Sequence, residues 1–115
     1  MKKPTRTQLE KQIDRLWAKR VVERDNACRN CNSDFVLQAH HIRGRQHTAT
    51  TYDVNNGLTL CRKCHSLQKF RPEQFHDMII DIIGQVEYDR LKAKSGILLK
   101  LYYQDLVEIK EKLKP

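Results

Sequence analysis

Two cysteine pairs, Cys28-x-x-Cys31 and Cys61-x-x-Cys64, with 29 residues between them, constrain this chain more than any other feature. Each pair is a knuckle able to turn two thiolates toward one point. Four thiolates around a single ion leave no open position, so the expected site is a structural zinc rather than a catalytic metal. A redox CxxC is the competing use of such a pair, but redox chemistry has no need of two matched pairs. In a chain of 115 residues the hydrophobic core is modest, and a staple joining the turn near residue 28 to the segment near residue 64 fixes everything between them.

The charge is unevenly spread. Residues 1–71 carry 15 Lys/Arg against 6 Asp/Glu, a net of +9, whereas residues 72–115 carry 7 against 8, a net of −1. The basic half is the half with the cysteines, which points to an acidic partner without naming one. No stretch approaches the roughly 18 uninterrupted apolar residues of a membrane span, and Met1-Lys2-Lys3-Pro4 leads into an amphipathic segment rather than a signal-peptide core. The expectation is a soluble, cytoplasmic protein with no membrane partner, in a compartment where paired cysteines are metal ligands before they are disulfides.

Along the chain, Leu9, Ile13, Leu16/Trp17 and Val21 recur at helical steps and predict an amphipathic helix over 7–24. Phe35 to Ile42 predicts a short strand, residues 43–56 a loop closing on the Asn55-Asn56-Gly57 turn, and Leu58-Thr59-Leu60 a second strand. A helix then starts in the second cysteine knuckle and fades near Arg71-Pro72. Pro72 opens another helical segment that Gly84 interrupts, and Val86 to Leu91 predicts a short helix. Ser95 is a good N-cap for a final helix bearing Leu98, Tyr102, Leu106, Ile109 and Leu113, which either pairs two chains as a homodimer seam or packs on the N-terminal helix. The expected organisation is α+β, a single domain over 1–115 with an N-terminal helix (7–24), a zinc-stapled core (25–71) and a helical C-terminal extension (72–115).

Inside the staple, "AHHIRGR" and "YDVNNGLTLCRKCHS" bring His40, His41, Asn56 and His65 into one unit, with 15 residues from His41 to Asn56 and nine from Asn56 to His65. Over about residues 24–70 this text resembles the HNH endonucleases of the branch stapled by paired CxxC motifs. The frame around it, "ERDNACRNC" and "IIGQVEYDRLKAKSG", also resembles small phage-type recombination endonucleases of the NinG kind. The resemblance implies a ββα-metal core, a hairpin followed by a helix with the active site between them, and metal-dependent hydrolysis of DNA to 5′-phosphate and 3′-hydroxyl ends.

Carried over position by position, the resemblance implies that His40 and His65 bind the catalytic ion. It makes His41 the general base, with Asn56 holding the loop and orienting it. Neighbouring strand residues project to opposite faces, so one imidazole can face an ion while the other faces the attacking water. The position one turn beyond His65, a histidine in some members, is Lys69 here. A two-ligand site completed by water and phosphate oxygens suits Mg²⁺ or Mn²⁺, and imidazole ligands also admit Ni²⁺, Co²⁺ or Zn²⁺. His47 and His76 are weaker candidates for the site, and Asn55 is a rival to Asn56 without the nine-residue spacing. Arg43 and Arg45 on the loop and Arg62 and Lys63 at the helix start are candidate DNA contacts, since arginine binds phosphate through two hydrogen bonds. Two other classes compete: a zinc-containing nucleic-acid-binding module without catalysis, which has no need for the histidines and Asn56 together, and a structural interaction domain, which leaves both the histidines and the charge split unexplained.

Overall fold

The computed structural model describes residues 2–115. The chain runs α1 (Arg6–Asp25), β1 (Leu37–His41), a single 3₁₀ turn (Val54–Asn56), β2 (Gly57–Cys61), α2 (Arg62–Phe70), α3 (Pro72–Ile83), α4 (Gln85–Ser95) and α5 (Tyr103–Leu113). The two strands form an antiparallel hairpin with Leu37 opposite Cys61 and His41 opposite Gly57. Hairpin then helix, stapled by cysteines, is the small α+β core expected for a ββα-metal protein. No described helix is long and apolar enough to cross a membrane.

The hairpin separates two apolar clusters. On one side α1 lays Leu9, Ile13, Trp17 and Val21 against Leu106 and Leu113 of α5, with Ala39 of β1 at the edge. On the other, Leu58 and Leu60 of β2 meet Phe75 and Ile79 of α3, next to Cys28, Cys61 and Cys64. Both faces of β2 are therefore covered, and all five of its residues are buried. Burying a leucine such as Leu58 or Leu60 is worth about 1.5–3 kcal/mol.

α1 begins at a capping box, in which Thr5 Oγ1 accepts from the Gln8 backbone N–H and Gln8 Oε1 accepts from the Thr5 N–H. It ends on Asn26 in the left-handed region, φ 62°, a conformation asparagine tolerates better than most residues. The helix meets the hairpin closely because position 57 is glycine. A Cβ there would collide with Val21 and come within 2.8 Å of Trp17 Cζ2. Gly57 has φ −108°, ordinary extended backbone. What position 57 requires is the absence of a side chain; the turn before it is made by the 3₁₀ residues Val54–Asn56, capped by the Asp53 side chain.

The C-terminal part departs from the sequence expectation. α4 runs on to Ser95 instead of ending near Leu91, and Ser95 closes that helix rather than capping the next. Its hydroxyl is already used from inside α4: it donates to the Lys92 carbonyl and accepts from Arg43 Nε. Residues 97–102 are not helical, so Leu98, expected on a helix stripe, is fully exposed. α5 starts seven residues later than expected, at Tyr103, where the Tyr102 N–H donates to Asp105 Oδ2. The buried side of the final helix packs on α1 of the same chain.

Candidate active site

The hairpin's alternation places the paired histidines apart. His41 points toward α1 and stacks on Trp17, with ring centroids 3.8 Å apart and planes 11° from parallel. His40 points toward α2 and α3, where it meets His65 and packs edge-on to Phe75 at 5.0 Å. Register decides this division, since a slip of one residue would exchange the two rings.

The hydrogen bonds set the tautomers. His41 Nε2 lies 3.0 Å from the Thr51 carbonyl oxygen, which can only accept, so Nε2 carries the proton and Nδ1 keeps a lone pair. His65 Nδ1 lies 2.6 Å from Gln38 Oε1 and donates to it, leaving His65 Nε2 unprotonated. That nitrogen faces His40 Nδ1 at 3.1 Å. Two nitrogens at this separation, each about 2.1 Å from a common ion, would subtend about 95° there, close to the cis angle of an octahedral shell. The donor set fits a divalent ion.

Burial acts on all three rings. It pushes His40 down to about 4, with the neighbouring His65 and His41 adding to the effect. His41 is also lowered by burial, against the opposing pull of the Thr51 carbonyl, and His65 is lowered by burial. The neutral forms, which alone can take a proton or bind a cation, are thereby favoured at neutral pH.

Asn56 holds the loop between the strands. It is fully buried. Its Oδ1 accepts from the Arg43 N–H at 2.8 Å and its Nδ2 donates to the Arg43 carbonyl at 2.9 Å, while its own carbonyl accepts from the Ile42 N–H. The loop carrying Thr51 is thus closed by one amide against one residue's backbone. Asp53 adds further ties, accepting from Trp17 Nε1–H through its carbonyl and pairing with Lys94 at 2.7 Å through its carboxylate. Asn55 only receives the Asp53 cap on its N–H.

Beside this site the four cysteines are positioned as a zinc site, their sulfurs all within 4.8 Å of one another. Cys31 Sγ and Cys61 Sγ are 3.6 Å apart, near the ~3.8 Å that tetrahedral Zn–S bonds of ~2.3 Å require. Backbone N–H groups of Cys31 and Cys64 point at Cys28 Sγ and Cys61 Sγ, and Asn30 Nδ2 donates to Cys64 Sγ at 3.3 Å. α2 grows directly out of the second knuckle, which places His65 one residue past Cys64 on a helix start that the ion would fix.

The candidate DNA contacts divide. Arg62 and Lys63 are exposed at the start of α2. Arg45 is exposed, with Asp14 at 3.8 Å. Arg43 instead reaches back to α4, its Nε donating to Ser95 Oγ and its Nη1 to Tyr88 Oη. His47 lies on the loop, and His76 is exposed on α3 beside Tyr88, 5.0 Å between centroids. Neither is brought to the His40–His65 pair. Sequence reasoning did not single out Gln38, Thr51, Trp17 as the partner of His41, or Asn30. Gln38 carried a faint signal, two residues before His40 and so on the same strand face; the Thr51 carbonyl carried none, because any residue supplies one.

Neither a curated protein nor a solved structure matches the chain. The family model for HNH endonuclease matches residues 28–71, the span from the first cysteine to the end of α2. This supports a nuclease-type function with DNA as the substrate. The matched segment holds the cysteine cluster, the histidine-bearing hairpin and the helix of His65, and over that segment the chain is similar to the HNH endonuclease family.

Proposed function

We propose that the chain is a metal-dependent endonuclease that hydrolyses DNA phosphodiester bonds, with His41 as general base and His40 and His65 as ligands of the catalytic ion. The observation that carries this reading is the division of the paired histidines, one with its Nδ1 left to accept a proton, the other paired nitrogen to nitrogen with His65. A bound divalent ion would supply charge stabilisation at the phosphate and the departing 3′ oxygen. The protein supplies the rest. His41 Nδ1 takes a proton as the water oxygen attacks phosphorus, the bond to the 3′ oxygen breaks, and the 3′ oxygen leaves as a hydroxyl after gaining a proton from solvent. Trp17 and the Thr51 carbonyl keep the base's ring in one plane and one tautomer throughout.

The substrate surface follows from charge. From Phe35 to Pro72 the only acidic residue is Asp53, which is paired with Lys94, while Arg43, Arg45, Arg62, Lys63, Lys69 and Arg71 fall in the same span. The exposure of Arg45, Arg62 and Lys63 supports them as the residues that meet phosphates, while Arg43 is held inside the loop.

Supercoiled plasmid incubated with zinc-loaded protein tests the reading. Nicked circles in the presence of Mg²⁺, Mn²⁺ or Co²⁺, lost on chelation and on His41→Ala, are expected. No nicking with any of these ions, alongside retained DNA binding, would replace the reading with a non-catalytic zinc-containing binding module.

A further inference from the structure

We propose that Gln38 is a positioning residue for the catalytic ion, and that the site it organises selects a borderline transition ion such as Co²⁺ or Ni²⁺ over Mg²⁺. The inference rests on the reading of His40 and His65 as that ion's ligands. His65 sits on α2 and His40 on β1, so the two nitrogens meet only if the His65 ring is held at one rotation. The bond that holds it runs 2.6 Å from His65 Nδ1–H to Gln38 Oε1. Gln38 sits two residues before His40 on the same strand, so one short stretch of β1 supplies a ligand and also aims its partner. The bond keeps the proton on Nδ1, which leaves the Nε2 lone pair directed at His40 Nδ1, 3.1 Å away.

The ion class follows from what surrounds the pair. Among the described residues, the cysteines form the only group of three or more His, Cys, Asp or Glu side chains whose ligand atoms lie close enough to share an ion. No carboxylate joins His40 and His65, and Gln38 is itself neutral. Mg²⁺ sheds water reluctantly and is ordinarily held by carboxylates and phosphates, whereas neutral imidazole nitrogens suit the later first-row ions. A site of two imidazoles, oriented by an uncharged amide within a basic segment, therefore has little hold on Mg²⁺ before substrate arrives.

Co²⁺ titrated into zinc-loaded protein and followed by visible absorption tests this without catalysis, since thiolate charge-transfer bands would reveal any Co²⁺ that had replaced zinc. Wild type is expected to bind one Co²⁺ free of thiolate bands and to retain it against an excess of Mg²⁺. Gln38 is exposed, so its replacement leaves the fold intact. Gln38→Ala should weaken Co²⁺ binding by about 10–100-fold at unchanged zinc content, and Gln38→Glu, which keeps the acceptor, should restore it. Equal Co²⁺ affinity in wild type and Gln38→Ala would overturn the positioning role. Displacement of Co²⁺ by comparable Mg²⁺ would overturn the selectivity. If wild type binds no second ion yet nicks plasmid in a metal-dependent way, this inference fails while the nuclease reading stands; if it neither binds an ion nor nicks, both fail.

Discussion

Replacing Asn56 tests how the loop is held. In the native fold one amide satisfies both backbone groups of Arg43, at 2.8 and 2.9 Å, from a fully buried position. Asn56→Ala removes two neutral hydrogen bonds, each worth about 0.5–1.5 kcal/mol net, and leaves an N–H and a C=O without their partner at further cost. Arg43 is half-buried, so water recovers part of that cost, and the expected destabilisation is about 2–4 kcal/mol. Asn56→Asp keeps the acceptor for the Arg43 N–H but turns a carboxylate oxygen toward the Arg43 carbonyl, so it should rescue little. The loop carries Thr51, whose carbonyl holds His41, so cleavage should fall even where the protein stays folded. Urea unfolding of zinc-loaded protein measures the stability, and hydrogen exchange at the Arg43 amide reports the loop directly. If Asn56→Ala is destabilised by less than about 0.5 kcal/mol and the Arg43 amide exchanges as in wild type, the two-bond clamp is not what closes the loop.

Four further outcomes follow from the same geometry. His41→Ala should lower cleavage by about 10²- to 10⁴-fold with zinc content and DNA affinity unchanged, while His40→Ala should abolish binding of the catalytic ion, a difference that a Co²⁺ titration of the two variants resolves. Burial holds His40 down to about 4, below the ~6.5 of an unfolded imidazole, so folding excludes a proton between these values; in the absence of the catalytic ion its contribution to stability is full above pH ~6.5 and is lost as pH falls toward 4. Urea unfolding at pH 7 and 5 should show a smaller drop for His40→Asn than for wild type. Cys28→Ser or Cys64→Ser should abolish one tightly held zinc per chain and with it the folded core, which zinc analysis and circular dichroism check together. Arg62→Ala should flatten the log-log salt dependence of duplex binding by about 0.9 for each phosphate that Arg62 neutralises, whereas Arg43→Ala should act mainly through loop stability, because its guanidinium is engaged by Tyr88 and Ser95.

The zinc cluster, the strand-loop-strand-helix order and the opposed directions of His40 and His41 were all legible in the sequence. Each depends on spacing that local geometry converts directly into position: two residues between cysteines, a period of two along a strand, a helix begun at a knuckle. Asn56 was legible by its distance from His65, and the resemblance implied that it holds the loop, but its partner was not legible; that is the backbone of Arg43, 13 positions away along the chain and adjacent only once the hairpin closes. Trp17 read as core, and it is core, yet the same ring also forms the wall behind His41, a second role visible only when α1 docks over the bare backbone of Gly57. Ser95 misled because serine's preference for helix starts is a local rule, and here a long-range partner, Arg43, together with the carbonyl of Lys92, took its hydroxyl from the other side. Local chemistry placed the elements that carry His40, His41 and His65, while tertiary packing chose the tautomers of His41 and His65, because the deciding acceptors, the Thr51 carbonyl and Gln38 Oε1, come from other parts of the chain.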